Sequence, residues 1–98
     1  MSNSIRVLCF GDVVGRPGRG ILARELPSLR EKYAAGFVLA NGENAAGGLG
    51  IERGTAEELL AGGIDVITLG DHCWQKKEFT AYLEEKSSVC IRPANYPE

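Results

Sequence analysis

The chain has 98 residues, 44% of them hydrophobic, with 11 basic against 13 acidic side chains and a formal net charge of -2. That size bounds the fold to one small domain, and that composition excludes a disordered chain. The near-even charge balance excludes a general pull toward nucleic acid or an anionic membrane, and no apolar run approaches a membrane span.

Met1-Ser2-Asn3-Ser4 leads directly into the apolar run Ile5 to Phe10 without a signal-peptide cleavage pattern, so a cytoplasmic protein is expected. Ile5 to Phe10 reads as the first of four short buried strands. The others are Phe37 to Ala40, Val66 to Leu69 and Val89 to Ile91, each partly β-branched or aromatic and bounded by Gly, Asn, Asp or Pro.

Helical patterns fill the gaps. The first helix is expected from Pro17 or Gly18, with Ile21, Leu22, Leu26 and Leu29 as its apolar stripe and Pro27 kinking or splitting it. The second has Thr55 as N-cap with Glu58 three residues on. Ala56, Leu59 and Leu60 face inward, and Gly62-Gly63 stop it. The third runs from about Gln75 to Glu85 on Phe79, Tyr82 and Leu83. Cys9, Cys73 and Cys90 form no C-x-x-C pair, so neither a structural zinc site nor a disulfide framework is expected. Cys9 and Cys90 read as small core residues, and Cys73 as buried filler.

Strand, helix, strand, repeated, predicts an α/β fold: a parallel sheet with right-handed crossover helices. All strands of such a sheet point one way, so the loops leaving them gather along one edge, where ligands bind. Asp12, Glu43, Asn44, Asp71, His72 and Asn95 all fall just past a predicted strand end and are expected to converge there. Oxygen donors of this kind favour hard or borderline divalent cations such as Mg, Mn or ferrous iron. A pair of such ions clamps a phosphate and activates a water, and Glu43 is placed centrally enough to lie between them. His72, the single histidine, suits protonation of a leaving alkoxide. Arg16 and Arg19 form a local basic spot suited to a phosphate or to a solvated surface. Asp12 and Asp71 also suit helix caps, and Trp74 suits packing or stacking on a base.

The segments at 11–19 (GDVVGRPGR), 41–48 (NGENAAGG), 69–78 (LGDHCWQKKE) and 92–97 (RPANYP) resemble the YmdB-like bacterial metallophosphoesterases of the calcineurin-like superfamily. Four motifs in order span nearly the whole chain. The resemblance implies the first half of a metallophosphoesterase sandwich and a phosphodiesterase acting on cyclic nucleotides such as 2′,3′-cyclic AMP. It implies two divalent ions, iron or manganese, with magnesium as a further option. Asp12 and Asn44 would bind the first metal, Glu43 would bridge both, Asp71 would take the second, and His72 would donate the proton. Arg16 and Asn95 are the candidate substrate contacts. Asp71 stands where family members usually have Asn, which adds a negative charge beside the phosphate.

The family's second half supplies further histidine ligands and the second sheet. Residues 1–98 are therefore expected to be the N-terminal part of one domain whose C-terminal half is absent. A lone half would expose an apolar sheet face and an unpaired strand edge, so it would pair with a copy of itself or with the missing half. Alone, it is expected to bind metal weakly and to hydrolyse little or nothing. An inactive module acting by association is the first rival reading. The second is a Rossmann-type half-domain, on the loose match Gly18-x-Gly20-x-x-Ala23 with Glu43 at the ribose position.

Overall fold

The computed structural model describes residues 4–47, 51–70, 82, 83, 85 and 89–91. Among them the order is β1 (Val7–Asp12), α1 (Gly15–Tyr33), β2 (Phe37–Asn41), α2 (Arg53–Ala61), β3 (Val66–Thr68) and β4 (Cys90–Ile91). The strands form one sheet in the order β1-β2-β3-β4, and every pairing is parallel. The α/β parallel sheet read from the sequence is the observed fold.

Each new strand is laid beside its predecessor, so crossovers of one hand place all the helices on one face of the sheet. Burial follows. In register across that face lie Leu8, Val38 and, one step on, Phe10, Ala40, Ile67 and Cys90. Val38, Ala40, Ile67 and Cys90 are 0–1% exposed and pack with Leu22 and Leu26 of α1 and Ala56 and Leu59 of α2. Tyr82 and Leu83, both helical, are buried in the same core. The opposite face carries Val7, Cys9, Phe37, Leu39, Val66 and Ile91. Val7 and Ile91 are 45% and 42% exposed there, and Cys9 is exposed as well. Cys90 is the core cysteine that was expected. Cys9 is not, because strand alternation turns it to the face that none of the described helices covers.

Several local expectations are corrected. The first strand runs two residues later than expected, and Ile5 is 67% exposed. The helix α1 starts at Gly15, ahead of Pro17, and continues through Pro27 as one element of 19 residues. Pro27 lies on the exposed side, where water can bond the carbonyl its ring leaves without a partner. The buried stripe of α1 is Leu22 and Leu26, an i, i+4 pair. Ile21 lies about 100° around the helix from Leu22 and is 56% exposed, and Leu29 is half-buried.

Thr55 does not cap α2. The helix begins at Arg53, with Glu52 as N-cap and no side-chain capping bond, and its first carbonyl already accepts from the Ala56 N–H at 2.9 Å. Tertiary contacts account for the earlier start. Arg53 lies over the Tyr82 ring, 4.8 Å from its centroid, and pairs with Glu85 at 3.2 Å. Gly62 and Gly63 end α2 as expected, with Gly63 at a φ of +113°. Leu60 is half-buried rather than fully inward. The last two strands are shorter than read, with Leu69 buried just beyond β3. Most of the expected third helix, with Phe79, lies outside the described residues, as do Cys73 and Trp74.

Candidate functional site

The chain crosses the C-terminal edge of the sheet twice within the described residues, after β1 and after β2. Both crossings are shaped by the backbone before any side chain is considered. In β1 the register shifts between Phe10 and Asp12: Phe10 pairs with Ala40, and Asp12 pairs with Asn41. Uninterrupted alternation would have set Asp12 opposite Gly42, on the parity of Leu8 and Phe10. The extra residue is Gly11, and the bulge brings Asp12 into line with Asn41. Bulges re-aim side chains in this way at sheet edges. Asp12 therefore closes β1 rather than following it.

The turn after β2 is held by backbone bonds on several sides. The Gly42 N–H donates to Thr68 O at 2.9 Å, which extends the β2–β3 ladder by one step. The Ala45 N–H donates to Gly42 O at 3.1 Å and closes the turn. The Gly15 N–H donates to Asn44 O at 3.1 Å, and the Val13 N–H to Asn41 O at 3.1 Å, so the two crossings are bonded to each other. Gly15 sits at a φ of +59° and Gly47 at +78°, and a Cβ on Gly15 would lie 3.7 Å from the Gly47 Cα. A Cβ there would meet only ordinary contacts, so it is the left-handed φ that calls for glycine at the start of α1.

Asp12 and Asn44 meet directly. The Asn44 Nδ2 donates to both oxygens of the exposed Asp12 carboxylate, at 3.0 and 3.1 Å. Glu43, half-buried, takes a long bond of 3.4 Å from Asn41 Nδ2. Its carboxylate also fills the space a Cβ on Gly70 would need, so Glu43 reaches across to the end of β3, next to position 71. The Asn41 Oδ1 is buried without a hydrogen-bond partner.

Arg16 is exposed in the first turn of α1. Arg19 differs from either role read for it. Its side chain is 18% exposed, with Nη1 donating to Ala45 O at 2.7 Å and Nε to Glu58 at 3.1 Å. Asp71, His72 and Asn95 lie outside the described residues. Among the described residues no group of three His, Cys, Asp or Glu side chains gathers to hold a metal.

Sequence reasoning missed the roles of Gly70, which makes room for Glu43, and of Arg19, which holds the turn. A glycine directly after a strand and before a candidate ligand was the available signal for the first. For the second, the sequence offered no distinction between a phosphate contact and a structural bond. The Rossmann alternative does not fit: Gly18, Gly20 and Ala23 lie within α1 rather than in a loop after β1, and the described strands follow one another in the order β1-β2-β3-β4, without the reversal that marks a Rossmann crevice.

A model of the YmdB-like protein family matches residues 8–98. The chain belongs to this family. It is 43% identical over 94 residues to the 2′,3′-cyclic-nucleotide 2′-phosphodiesterase of Bacillus subtilis (strain 168), covering 96% of this chain and 35% of that protein. Among solved structures it is similar to a phosphatase from Mycoplasma pneumoniae, with a TM-score of 0.92 and 37% identity over 99% of this chain and 34% of the other. It is similar also to a hypothetical protein from Thermus thermophilus, with a TM-score of 0.85 and 43% identity over 95% of this chain and 35% of the other. This YmdB-like chain spans about a third of the length of the relatives it matches. No helix among its described residues is long and apolar enough to cross a membrane.

Proposed function

We propose that these residues form part of a two-metal site that hydrolyses phosphate esters, with 2′,3′-cyclic nucleotides as the substrate class. The observation that carries this reading is the meeting of Asp12 and Asn44, residues from two different crossings, at the loop edge of a parallel sheet. The substrate class follows from the Bacillus subtilis relative, named as a 2′,3′-cyclic-nucleotide 2′-phosphodiesterase.

The residues present fit divalent cations on their donor chemistry. Asp12, Glu43 and Asn44 offer oxygen donors, and the buried Asn41 Oδ1 lacks a partner in the same corner. The Asn44 NH2 faces the Asp12 carboxylate. A flip of that amide would present its oxygen beside Asp12 instead. In this reading Asp12 and Asn44 would hold the first ion, Glu43 would serve both, and Asp71 would hold the second. The ions would be iron or manganese, with magnesium as a third option. When bound, they would polarise the phosphate and activate a water. Water would add to phosphorus and lose a proton to solvent, the ring P–O bond would break, and His72 would give its proton to the leaving ribose alkoxide. Arg16 and Asn95 would contact the phosphate.

Titration of the 98-residue chain with Mn2+ by calorimetry tests the reading. Binding is expected in the wild type, about tenfold or more weaker in Asp12→Ala and in Glu43→Gln. Equal affinity in all three would overturn it. Turnover of 2′,3′-cyclic AMP by this chain alone is expected to be slight, because the relatives use about three times as much chain.

A further inference from the structure

Arg19 joins three elements. It projects from the second turn of α1, its Nη1 bonds Ala45 O at 2.7 Å, and its Nε bonds the Glu58 carboxylate of α2 at 3.1 Å. The carbonyl it holds ends the turn Gly42–Ala45, which carries Glu43 and Asn44. Two other anchors of that turn, Gly42 N–H to Thr68 O and Asn44 O to Gly15 N–H, are backbone bonds. They follow from the fold and do not depend on which side chains are present. The Arg19 bond is a side-chain anchor and so is specific to this sequence.

The geometry demands a guanidinium. Nε and Nη1 point from one rigid plane at two acceptors on different elements. An ammonium presents one compact charge and cannot hold both in the same way. The bond is charge-assisted and mostly shielded from water, with the arginine side chain 18% exposed, and both conditions strengthen it. Glu58, 51% exposed, balances the charge and fixes the rotamer from the outer side.

We propose that Arg19 is a positioning residue for the site: it sets the turn that aims Glu43 and Asn44, and does not bind phosphate itself. The claim about the turn stands on the hydrogen bonds alone. Its consequence for metal affinity rests on the reading of Glu43 and Asn44 as ligands.

The test compares Arg19→Met and Arg19→Lys with the wild type and with Asp65→Ala, a stability control whose contacts lie at the opposite end of the sheet. The first readout is amide hydrogen exchange of the metal-free 98-residue chain. Exchange at Ala45 is expected to rise about tenfold or more in Arg19→Met, the scale of a lost charged hydrogen bond, with a smaller rise in Arg19→Lys. At equal loss of melting temperature, Asp65→Ala is expected to leave Ala45 unchanged relative to the core. If Arg19→Met does not fold, the lysine variant carries the comparison. Ala45 exchange that follows only global stability in the arginine variants would overturn the proposal.

The second readout is Mn2+ affinity, expected to fall by about tenfold in Arg19→Met and to be partly restored in Arg19→Lys. Affinity unchanged from a wild type that does bind would also overturn it. A wild type that binds no Mn2+ sinks the metal reading, and the exchange readout then decides the role of Arg19.

Discussion

Glu43 lies in the volume that any side chain on Gly70 would occupy. One residue belongs to the turn after β2 and the other to the segment leaving β3, so the missing Cβ is what lets the carboxylate cross from one to the other. Gly70→Ala is expected to push Glu43 away from that position, because a methyl group cannot share space with the carboxylate. The core is not involved, so circular dichroism and the urea midpoint should change little. Mn2+ affinity should fall by about tenfold or more, as for other changes that displace a ligand without removing it. Wild-type affinity in Gly70→Ala would show that the position of Glu43 is irrelevant to binding.

Asn44 donates from its Nδ2 to both oxygens of the Asp12 carboxylate. Replacing it with a second carboxylate converts that attraction into repulsion. Asn44→Asp is expected to cost about 1 kcal/mol of metal-free stability, modest because Asp12 is exposed and water screens the pair. Added Mn2+ should then raise the melting temperature of Asn44→Asp more than that of the wild type, since the ion relieves the repulsion as it binds. Thermal shift with and without Mn2+ measures both effects. A smaller shift in the variant would argue against a cation between these side chains.

What the sequence disclosed, and what it hid, has a physical pattern. The parallel sheet was legible because Val38, Ala40 and Ile67 sit in short runs bounded by turn formers, a local signal that needs no tertiary knowledge. The edge location of Asp12, Glu43 and Asn44 followed from strand direction alone. Details that depend on contacts between distant residues were hidden. The start of α2 is set by Arg53 against Tyr82 and Glu85, about thirty residues on, and overrides the capping pattern at Thr55. The exposure of Cys9 depends on which sheet face the helices cover, which a run of apolar residues does not state. Arg19 looked like any surface cation until its acceptors on the turn and on α2 were in view.

At the sheet end remote from the site, Asp65 fastens β2 to α1. Its Oδ2 accepts from the Val38 N–H at 2.8 Å and from Arg30 Nη2 at 3.3 Å, while Arg30 Nη1 reaches Gly63 O at 2.7 Å. Val38 is fully buried, so Asp65→Ala strands its amide away from water. The expected cost is about 1–3 kcal/mol by urea unfolding. Mn2+ affinity should be unchanged, because none of these atoms belongs to the turn after β2. A loss of affinity matching that of Gly70→Ala would mean that the two ends of the sheet are not independent.

Tyr82 gives the fold an alkaline limit. Its side chain is fully buried, and burial holds the phenol above its ordinary value, with the Glu57 carboxylate adding to the effect. Arg53 over the ring pulls the other way and does not reverse it. Below about pH 10 the phenol is neutral in both folded and unfolded chains and adds no pH dependence. As pH rises past that point the unfolded chain releases the proton and the folded chain keeps it. The unfolded state then binds fewer protons, and stability falls with rising pH until the folded phenol also ionises. The slope from this one group is at most about 1.4 kcal/mol per pH unit. Tyr82→Phe should therefore lose less stability than the wild type between about pH 10 and about pH 11 in parallel urea titrations, the window above the ordinary tyrosine value. Parallel pH profiles for the two chains would show that Tyr82 does not contribute to the alkaline loss.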